Sequence, residues 1–301
     1  MIAPAVTALR SLLFSPGSRA DMMEKAKRSG ADGLIFDLED AVAPGQRSAA
    51  REQVAAALSG GDGPPVFVRV NHPSTGEMER DLDAVVTDGL FGVVLPKAET
   101  AAEVAGLDEA LGVREERAGL GPGSVVVLPL VESCRGVHFA YHIASASPRV
   151  AGLAFSSGEE GDFMADLDGQ WTPTGEAMLY PRSKLLCEAR AAGLEWAVDG
   201  VFMNLGDDDA LLAECRLARR LGYGAKMAIH PRQVPVIHEV FTPTAEEVAF
   251  SEGLLAAFER AQASGTGAFR YEGMMVDKAN VRRANRVLAR AALSDGPGTP
   301  S

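Results

Sequence analysis

Carboxylates and cations stand where short apolar runs of the chain give way to polar residues. Asp37, Glu39 and Asp40 follow GLIF, Arg69 and Asn71 end VFVRVN, Lys97 follows GVVLP, Glu132 follows VVVLPLV, and Glu159, Glu160 and Asp162 follow VAGLAFSS. Unpaired charges are costly to bury, so such a set needs ion partners or a metal. Several carboxylates against few cations make an oxygen-rich cluster, which suits a hard divalent ion, and Mg²⁺ requires few protein ligands. Glu132 and Asp162, at the ends of successive runs, are the candidates to hold it. Arg69 offers a planar fork to a carboxylate or an α-keto acid. A second signal is PGSR at 16–19: Gly17 permits a tight turn, Ser18 can cap a helix, and the exposed N–H groups with Arg19 suit a phosphate.

Each residue also has a plainer reading. Arg69 can serve as an ion-pair partner of Asp37 or Glu39, and Glu132 as a cap for the helix that follows it. Glu159 and Glu160 read as solvated loop charges, and His230, beside Pro231, as a structural residue. Cys134 has no obvious base near it and reads as an inert thiol. His72, His138, His142 and His238 carry no motif and read as surface or packing residues.

These side chains can meet only if the elements beneath them converge. Eight apolar, β-branched runs occur, at 11–17, 33–41, 66–71, 92–97, 125–132, 150–159, 198–204 and 225–231. That number closes a (β/α)₈ TIM barrel, which gathers every strand's C-terminal end on one face. A doubly wound open sheet is the alternative, since alternation alone does not prove closure. Period-two alternation places Asp37 and Glu39 on one face of strand two. Helices are expected over 19–30, 47–58, 176–192 (closed by Gly193) and 207–221, which begins after Asp207 and stops at Gly222. After 240 the pattern changes. Thr242-Pro243-Thr244 opens a helix with Glu246 and Glu247 in its first turn, running to about Ala263. Residues 264–277 read as a loop, 278–293 as a last helix, and SDGPGTPS as a disordered tail. The chain thus divides into a barrel, 1–240, and a C-terminal helical arm with its tail, 241–301.

Bulk composition limits the partners. With 29 basic and 41 acidic residues the net charge is −12, which argues against nucleic acid or an anionic membrane as the main partner. A hydrophobic content of 47% allows a large core. The three cysteines, Cys134, Cys187 and Cys215, show no CxxC spacing, so neither a disulfide framework nor a zinc site is indicated, and a reducing cytoplasm is expected. No run approaches the ~18 apolar residues of a membrane span, and the apolar start reads as a strand, not as a signal peptide.

The stretches LLFSPGSR (12–19), ADGLIFDLEDAVAPGQRSAAR (31–51), VFVRVN (66–71), GVVLPKAE (92–99), VLPLVES (127–133), AIHPRQVPVIHEVFTP (228–243) and GMMVD (273–277) span nearly the whole chain in order. In these the sequence resembles the citrate lyase β-subunit-like proteins of the HpcH/HpaI aldolase/citrate lyase superfamily. The resemblance implies a TIM barrel with a C-terminal helical extension, assembled as trimers or hexamers. It implies Mg²⁺ on Glu132 and Asp162, Arg69 on the keto-acid portion of the substrate, and Glu39 and Asp40 holding water or Arg69. Arg19 and Lys97 are then the substrate- and CoA-binding cations, and Asp277 of GMMVD the acid/base, reaching the site of a neighbouring subunit. FSSGEEGDFMADLDG is longer than the family's usual FGxED turn, so Glu160 stands as the alternative to Asp162. The implied reaction is cleavage of a 3-hydroxy-3-carboxyacyl thioester, such as citramalyl-CoA, malyl-CoA or citryl-CoA, to a keto acid and an acyl-CoA. A malyl-CoA-type thioesterase, an aldolase acting on free hydroxy-keto acids, and a subunit of a citrate lyase complex fed by an acyl-carrier-protein thioester are its variants.

Overall fold

The computed structural model describes residues 6–59, 63–263 and 269–294; the tail SDGPGTPS beyond Ser294 lies outside them. Eight parallel strands close on themselves in sequence order: β1 (Ser11–Pro16), β2 (Gly33–Asp37), β3 (Val66–Arg69), β4 (Gly92–Leu95), β5 (Val126–Val131), β6 (Leu153–Phe155), β7 (Ala197–Asp199) and β8 (Ala225–Ala228). Closure comes from β8 pairing with β1, Ser11 opposite Lys226 and Leu12 opposite Met227. The open sheet is therefore excluded. Leu12, Ile35, Phe67, Val94, Leu128, Leu130, Ala154 and Met227 fill the interior as one apolar cluster. They recur at every second position because a strand turns alternate side chains to opposite faces. Trp196 closes the N-terminal end, its indole N–H donating to the Leu9 carbonyl at 3.2 Å.

The outer helices are α1 (Ala20–Ala26), α2 (Arg47–Leu58), α3 (Met78–Val85), α4 (Ala101–Ala118), α5 (Cys134–His138), α6 (Ala140–Ala144), α7 (Asp162–Leu167), α8 (Glu176–Ala191), α9 (Asp208–Leu221) and α10 (Gln233–Phe241). Local signals explain their ends. Thr100 and Glu103 form a reciprocal capping box on α4. Asp207 accepts the Ala210 N–H at 2.9 Å to start α9. Gly193, at φ +83°, lies just past the end of α8, and the Leu194 N–H turns back to the Ala189 carbonyl. Helix α1 departs from expectation. It begins at Ala20 with Arg19 in the cap position and no side-chain cap, because the Arg19 N–H is already turned back to the Pro16 carbonyl. Ser18 is therefore not the cap. The sixth and seventh apolar runs are also cut short: β6 ends at Phe155 and β7 at Asp199, leaving Ser156–Glu159 and Gly200–Asn204 as loops.

Gly17 shows how closely the first loop is held. Its N–H bonds the Asp37 carbonyl at 2.8 Å, and a methyl group there would meet that oxygen at 2.6 Å and Val54 at 2.8 Å. Gly17→Ala is expected to lose about 1–3 kcal/mol through overpacking, seen as a lower urea midpoint at unchanged slope.

Behind β7 and β8 lies a buried knot of charge. The Lys226 ammonium contacts Asp199 at 2.8 Å and Glu214 at 2.6 Å, while Arg182 reaches the same two carboxylates at 2.9 and 3.1 Å. All four side chains are buried. Ser157 joins them by donating to Asp199 at 3.2 Å. Two cations against two anions balance, so the low-dielectric interior tolerates them.

The chain forms two compact units, 1–239 and 240–301. The second holds α11 (Ala245–Ala263), an antiparallel pair β9 (Phe269–Tyr271) and β10 (Met274–Val276), and α12 (Lys278–Ser294). Leu254, Val276 and Ala284 form its small core with Phe250, Phe269 and Tyr271. The hairpin corrects the expected loop over 269–277; its first part, 264–268, lies outside the described residues. Glu272 and Gly273 both take positive φ, 48° and 81°, the geometry of the two-residue turn that matches strand twist.

Candidate active site

Alternation carries the interior pattern up to the mouth. Ile35, Phe67 and Leu130 face the core, and two residues further on Asp37, Arg69 and Glu132 line a cavity of about 270 Å³ at the C-terminal end of the barrel. Phe14, Ser156, Met227 and Ile229 supply other parts of its wall.

Arg69 is held as a fork. Its Nε donates to Asp37 Oδ1 at 2.7 Å and an Nη to Oδ2 at 2.6 Å, while the other Nη lies 3.1 Å from Glu39. Asp37 also accepts the N–H groups of Glu39 and Ala41, both at 2.9 Å, so the guanidinium is tied to the turn that carries Glu39. The Phe14 ring lies beneath it, 5.0 Å away. Burial works against its charge, yet the hydrogen bonds and charge of Asp37, with Glu39 and Glu132, outweigh this and raise its pKa further. The ion-pair reading of Arg69 thus holds, and the same contacts pre-orient it beside the cavity.

Lys97 connects the carboxylates. Its backbone is left-handed at φ +50°, a strained geometry for a non-glycine residue. That turn aims its N–H at Glu132 Oε1, 3.0 Å away. Its ammonium contacts Glu39, lies 3.2 Å from Asp40 and 3.1 Å from Asp162. Glu39, Asp40 and Lys97 therefore form one group, while Arg69 bridges Glu39 to Asp37. Burial pushes the Glu39 carboxyl up, against the pull of Arg69 and Lys97.

Glu132 is 6% exposed. Its second oxygen has no hydrogen-bond partner among the described residues. It is not a helix cap: Ser133 takes that place on α5, accepting the Gly136 N–H at 3.0 Å. Burial pushes its carboxyl up to about 7, with Arg69 and the Lys97 N–H opposing. Arg69 and Lys97 lie near it, and Glu39 adds a further carboxylate, so the site offers oxygen ligands of the kind a hard divalent ion prefers. Glu132 and Asp162 are the residues that could hold one. Asp162 opens α7 and is half exposed, within reach of Lys97; Glu160 is exposed and makes no described ion pair. Among the described residues no group of three or more His, Cys, Asp or Glu side chains is arranged around a metal, so the fit is to an ion that completes its shell with water and substrate. A pH dependence follows. With its folded pKa raised from 4.5 to about 7, Glu132 favours the protonated fold. Its contribution to stability is full below about 4.5 and is lost as pH rises through 7. A divalent ion needs the ionised form, so its affinity, measured calorimetrically, is expected to rise with pH up to about 7 and then level off.

Further polar residues of the apolar runs, the PGSR loop and the second unit have these surroundings. Arg19 is exposed and paired with its own neighbour Asp21 at 3.0 Å, so it is not part of the mouth cluster. Asn71 is buried as a brace, donating to the Leu38 carbonyl and to Asp81, both at 2.8 Å. Asn204 sits in an exposed loop. His230 braces a turn, its ring accepting the Arg232 N–H. Cys134 is exposed and burial with Asp166 nearby raises its thiol pKa, in keeping with an inert thiol. Asp277, in the second unit, caps α12: its Oδ1 accepts the N–H groups of Ala279 at 2.7 Å and Asn280 at 3.3 Å. Asp166 is a residue that sequence reasoning missed. It accepts the Cys134 N–H at 2.7 Å and so pins α7, which carries Asp162, to the start of α5. Its place four residues after Asp162, one helical turn on, was the available signal.

Comparison with known proteins places the chain among relatives. The chain is 36% identical to the citrate lyase subunit beta of Leuconostoc mesenteroides subsp. cremoris over 281 residues, 93% of this chain and 92% of that protein. It is 34% identical to an L-malyl-CoA/beta-methylmalyl-CoA lyase of Cereibacter sphaeroides, covering 94% and 95%. Among solved structures, protein CitE from Mycobacterium tuberculosis in complex with magnesium, acetoacetate and coenzyme A superposes with a TM-score of 0.74 at 34% identity, over 95% of this chain and all of that one. The family model for HpcH/HpaI aldolase/citrate lyase matches residues 10–231. By descent as well as by architecture, this chain belongs to the HpcH/HpaI aldolase/citrate lyase family.

Proposed function

We propose that the protein is a Mg²⁺-dependent carbon–carbon lyase that cleaves a 3-hydroxy-3-carboxyacyl thioester, of the citramalyl-CoA, malyl-CoA or citryl-CoA type, to a keto acid and an acyl-CoA. The observation that carries this reading is the buried Glu132 beside a pre-oriented Arg69 at the barrel mouth, one oxygen fixed by Lys97 and the other unpaired. The names of the relatives support the reaction class, and the CitE complex supports the pairing of magnesium with a CoA ligand.

In this reading Glu132 and Asp162 hold the metal, and Arg69 receives the carboxylate of the keto-acid portion without reorganising. Magnesium bound there would lower the pKa of the substrate hydroxyl and stabilise the forming carbonyl. A base takes the hydroxyl proton, the C3 oxygen becomes the carbonyl of the keto acid as the C2–C3 bond breaks, and the electron pair of that bond stays on C2, the carbon alpha to the thioester, as an enolate. Asp277 is proposed to protonate that carbon. Glu39 and Asp40, through Lys97 and Arg69, keep the two cations in place.

The test is an assay of the purified protein on citramalyl-CoA, malyl-CoA and citryl-CoA, with Mg²⁺ or with EDTA, following keto acid and free thiol. Keto acid that forms only with Mg²⁺, without thiol, is the expected result. Thiol release would move the reading to a thioesterase. Activity only with an acyl-carrier-protein thioester would move it to a citrate lyase subunit.

A further inference from the structure

The mouth of the barrel holds more anions than cations. Asp37, Glu39, Asp40, Glu132 and Asp162 face Arg69 and Lys97. Arg69 is committed to Asp37 and Glu39, so Lys97 alone among the described residues pairs with Asp162. Lys97 is not a loose surface lysine. Its left-handed backbone is bonded to Glu132, its ammonium touches carboxylates from the ends of two other barrel strands, and its side chain is 37% exposed.

We propose that Lys97 is an internal counter-ion that competes with the divalent ion for Asp162, so that metal and keto acid load together. The proposal rests on the reading of Glu132 and Asp162 as metal ligands. A lysine ammonium is a compact point charge that seeks the same carboxylate oxygens as a hard cation. If both share Asp162 they repel at short range; if the metal displaces the ammonium, the Lys97–Asp162 pair is lost. Either way the ion binds the protein alone less tightly than two carboxylates would allow. A keto acid changes the balance, because its carboxylate adds negative charge beside Arg69 and its oxygens add ligands. Lys97 then keeps Glu39 and Asp40, and Asp162 is released to the metal.

Calorimetric titration of the full-length protein with Mg²⁺ tests this directly. Lys97→Met is expected to bind Mg²⁺ about fivefold more tightly than the unaltered protein, the size of one partly exposed ion pair. Lys97→Arg, which keeps the charge, is expected to stay close to the unaltered protein. Pyruvate should tighten Mg²⁺ binding more in the unaltered protein than in Lys97→Met. Equal or weaker binding by Lys97→Met overturns the proposal and makes Lys97 a support for Asp162, not a rival. Glu132→Gln in the same titration separates the two readings. If it abolishes binding while Lys97→Met changes nothing, only the Lys97 proposal fails. If it binds as the unaltered protein does, the metal assignment itself fails. Circular dichroism of each variant checks folding, and Lys97→Gln replaces Lys97→Met if the latter does not fold.

Discussion

Glu132→Gln lowers Mg²⁺-dependent turnover by about 10³-fold, on the order of 4 kcal/mol of transition-state stabilisation, and leaves the barrel folded. Both halves of this expectation come from one geometry. The amide retains an oxygen to accept the Lys97 N–H, so the strained turn at Lys97 keeps its partner. What the variant loses is the charge that a divalent ion needs. Burial already makes that charge costly, as the carboxyl's rise to about 7 shows, so its removal is expected to raise the melting temperature slightly above pH 7. Steady-state assays over a range of Mg²⁺ concentrations, paired with thermal melts at pH 6 and pH 8, read the two effects separately. A variant that is inactive because it is unfolded would return Glu132 to a structural role. A variant that is folded and active would remove the metal from this site.

Asp277 calls for a different pair of substitutions. Its Oδ1 caps α12, so Asp277→Ala loses both a cap worth ~1 kcal/mol and any proton-transfer role. Asp277→Asn retains an oxygen that can cap while removing the acid. If Asp277 protonates the thioester enolate, Asn and Ala both reduce turnover by about 10²–10⁴-fold with Mg²⁺ affinity unchanged, and only Ala lowers stability. If Asp277 is a cap alone, Asn is nearly as active as the unaltered enzyme. A homotrimer or hexamer in which Asp277 serves a neighbouring subunit makes a further result expected. Mixing inactive Glu132→Gln with inactive Asp277→Asn subunits would restore part of the activity, because some sites would combine an intact Glu132 with an intact Asp277. Absence of recovery after verified subunit exchange would place both residues in one chain.

The barrel was legible because its evidence is local and repeated. Each of the eight strands is an apolar run bounded by polar or turn residues, and eight is the number that suits a closed barrel; closure itself, which sequence alternation left open, is seen in β8 pairing with β1. The short strands β6 and β7 were overestimated, since an apolar run such as VDGVFMN does not reveal where pairing stops. Asp37, Arg69 and Glu132 could be placed at the mouth from strand alternation. Lys97 could not be linked to Glu39, Asp40 and Asp162, because these contacts span different βα units and depend on one left-handed residue. Arg19 is not linked to the mouth cluster in the structure: it is exposed and paired with Asp21, two residues on. Helix α4 was readable from Thr100 and Glu103, a signal present in the sequence and passed over.

The charge knot of Lys226, Asp199, Arg182 and Glu214 has a consequence for how this barrel can evolve. Removing any one member strands an uncompensated buried charge, at a cost of about 3–5 kcal/mol, a large share of a typical domain's stability. Replacing a cation and an anion together escapes that cost. Lineages can therefore cross this corner only in coordinated steps, and each crossing alters which substitutions are next tolerated. The four positions, spread over β7, β8, α8 and α9, would change as a unit while the sites around them drift independently. Ser157, which hangs from Asp199, leads into the loop toward Asp162. The historical path of the knot would then bear on how freely the loop carrying Asp162 can vary.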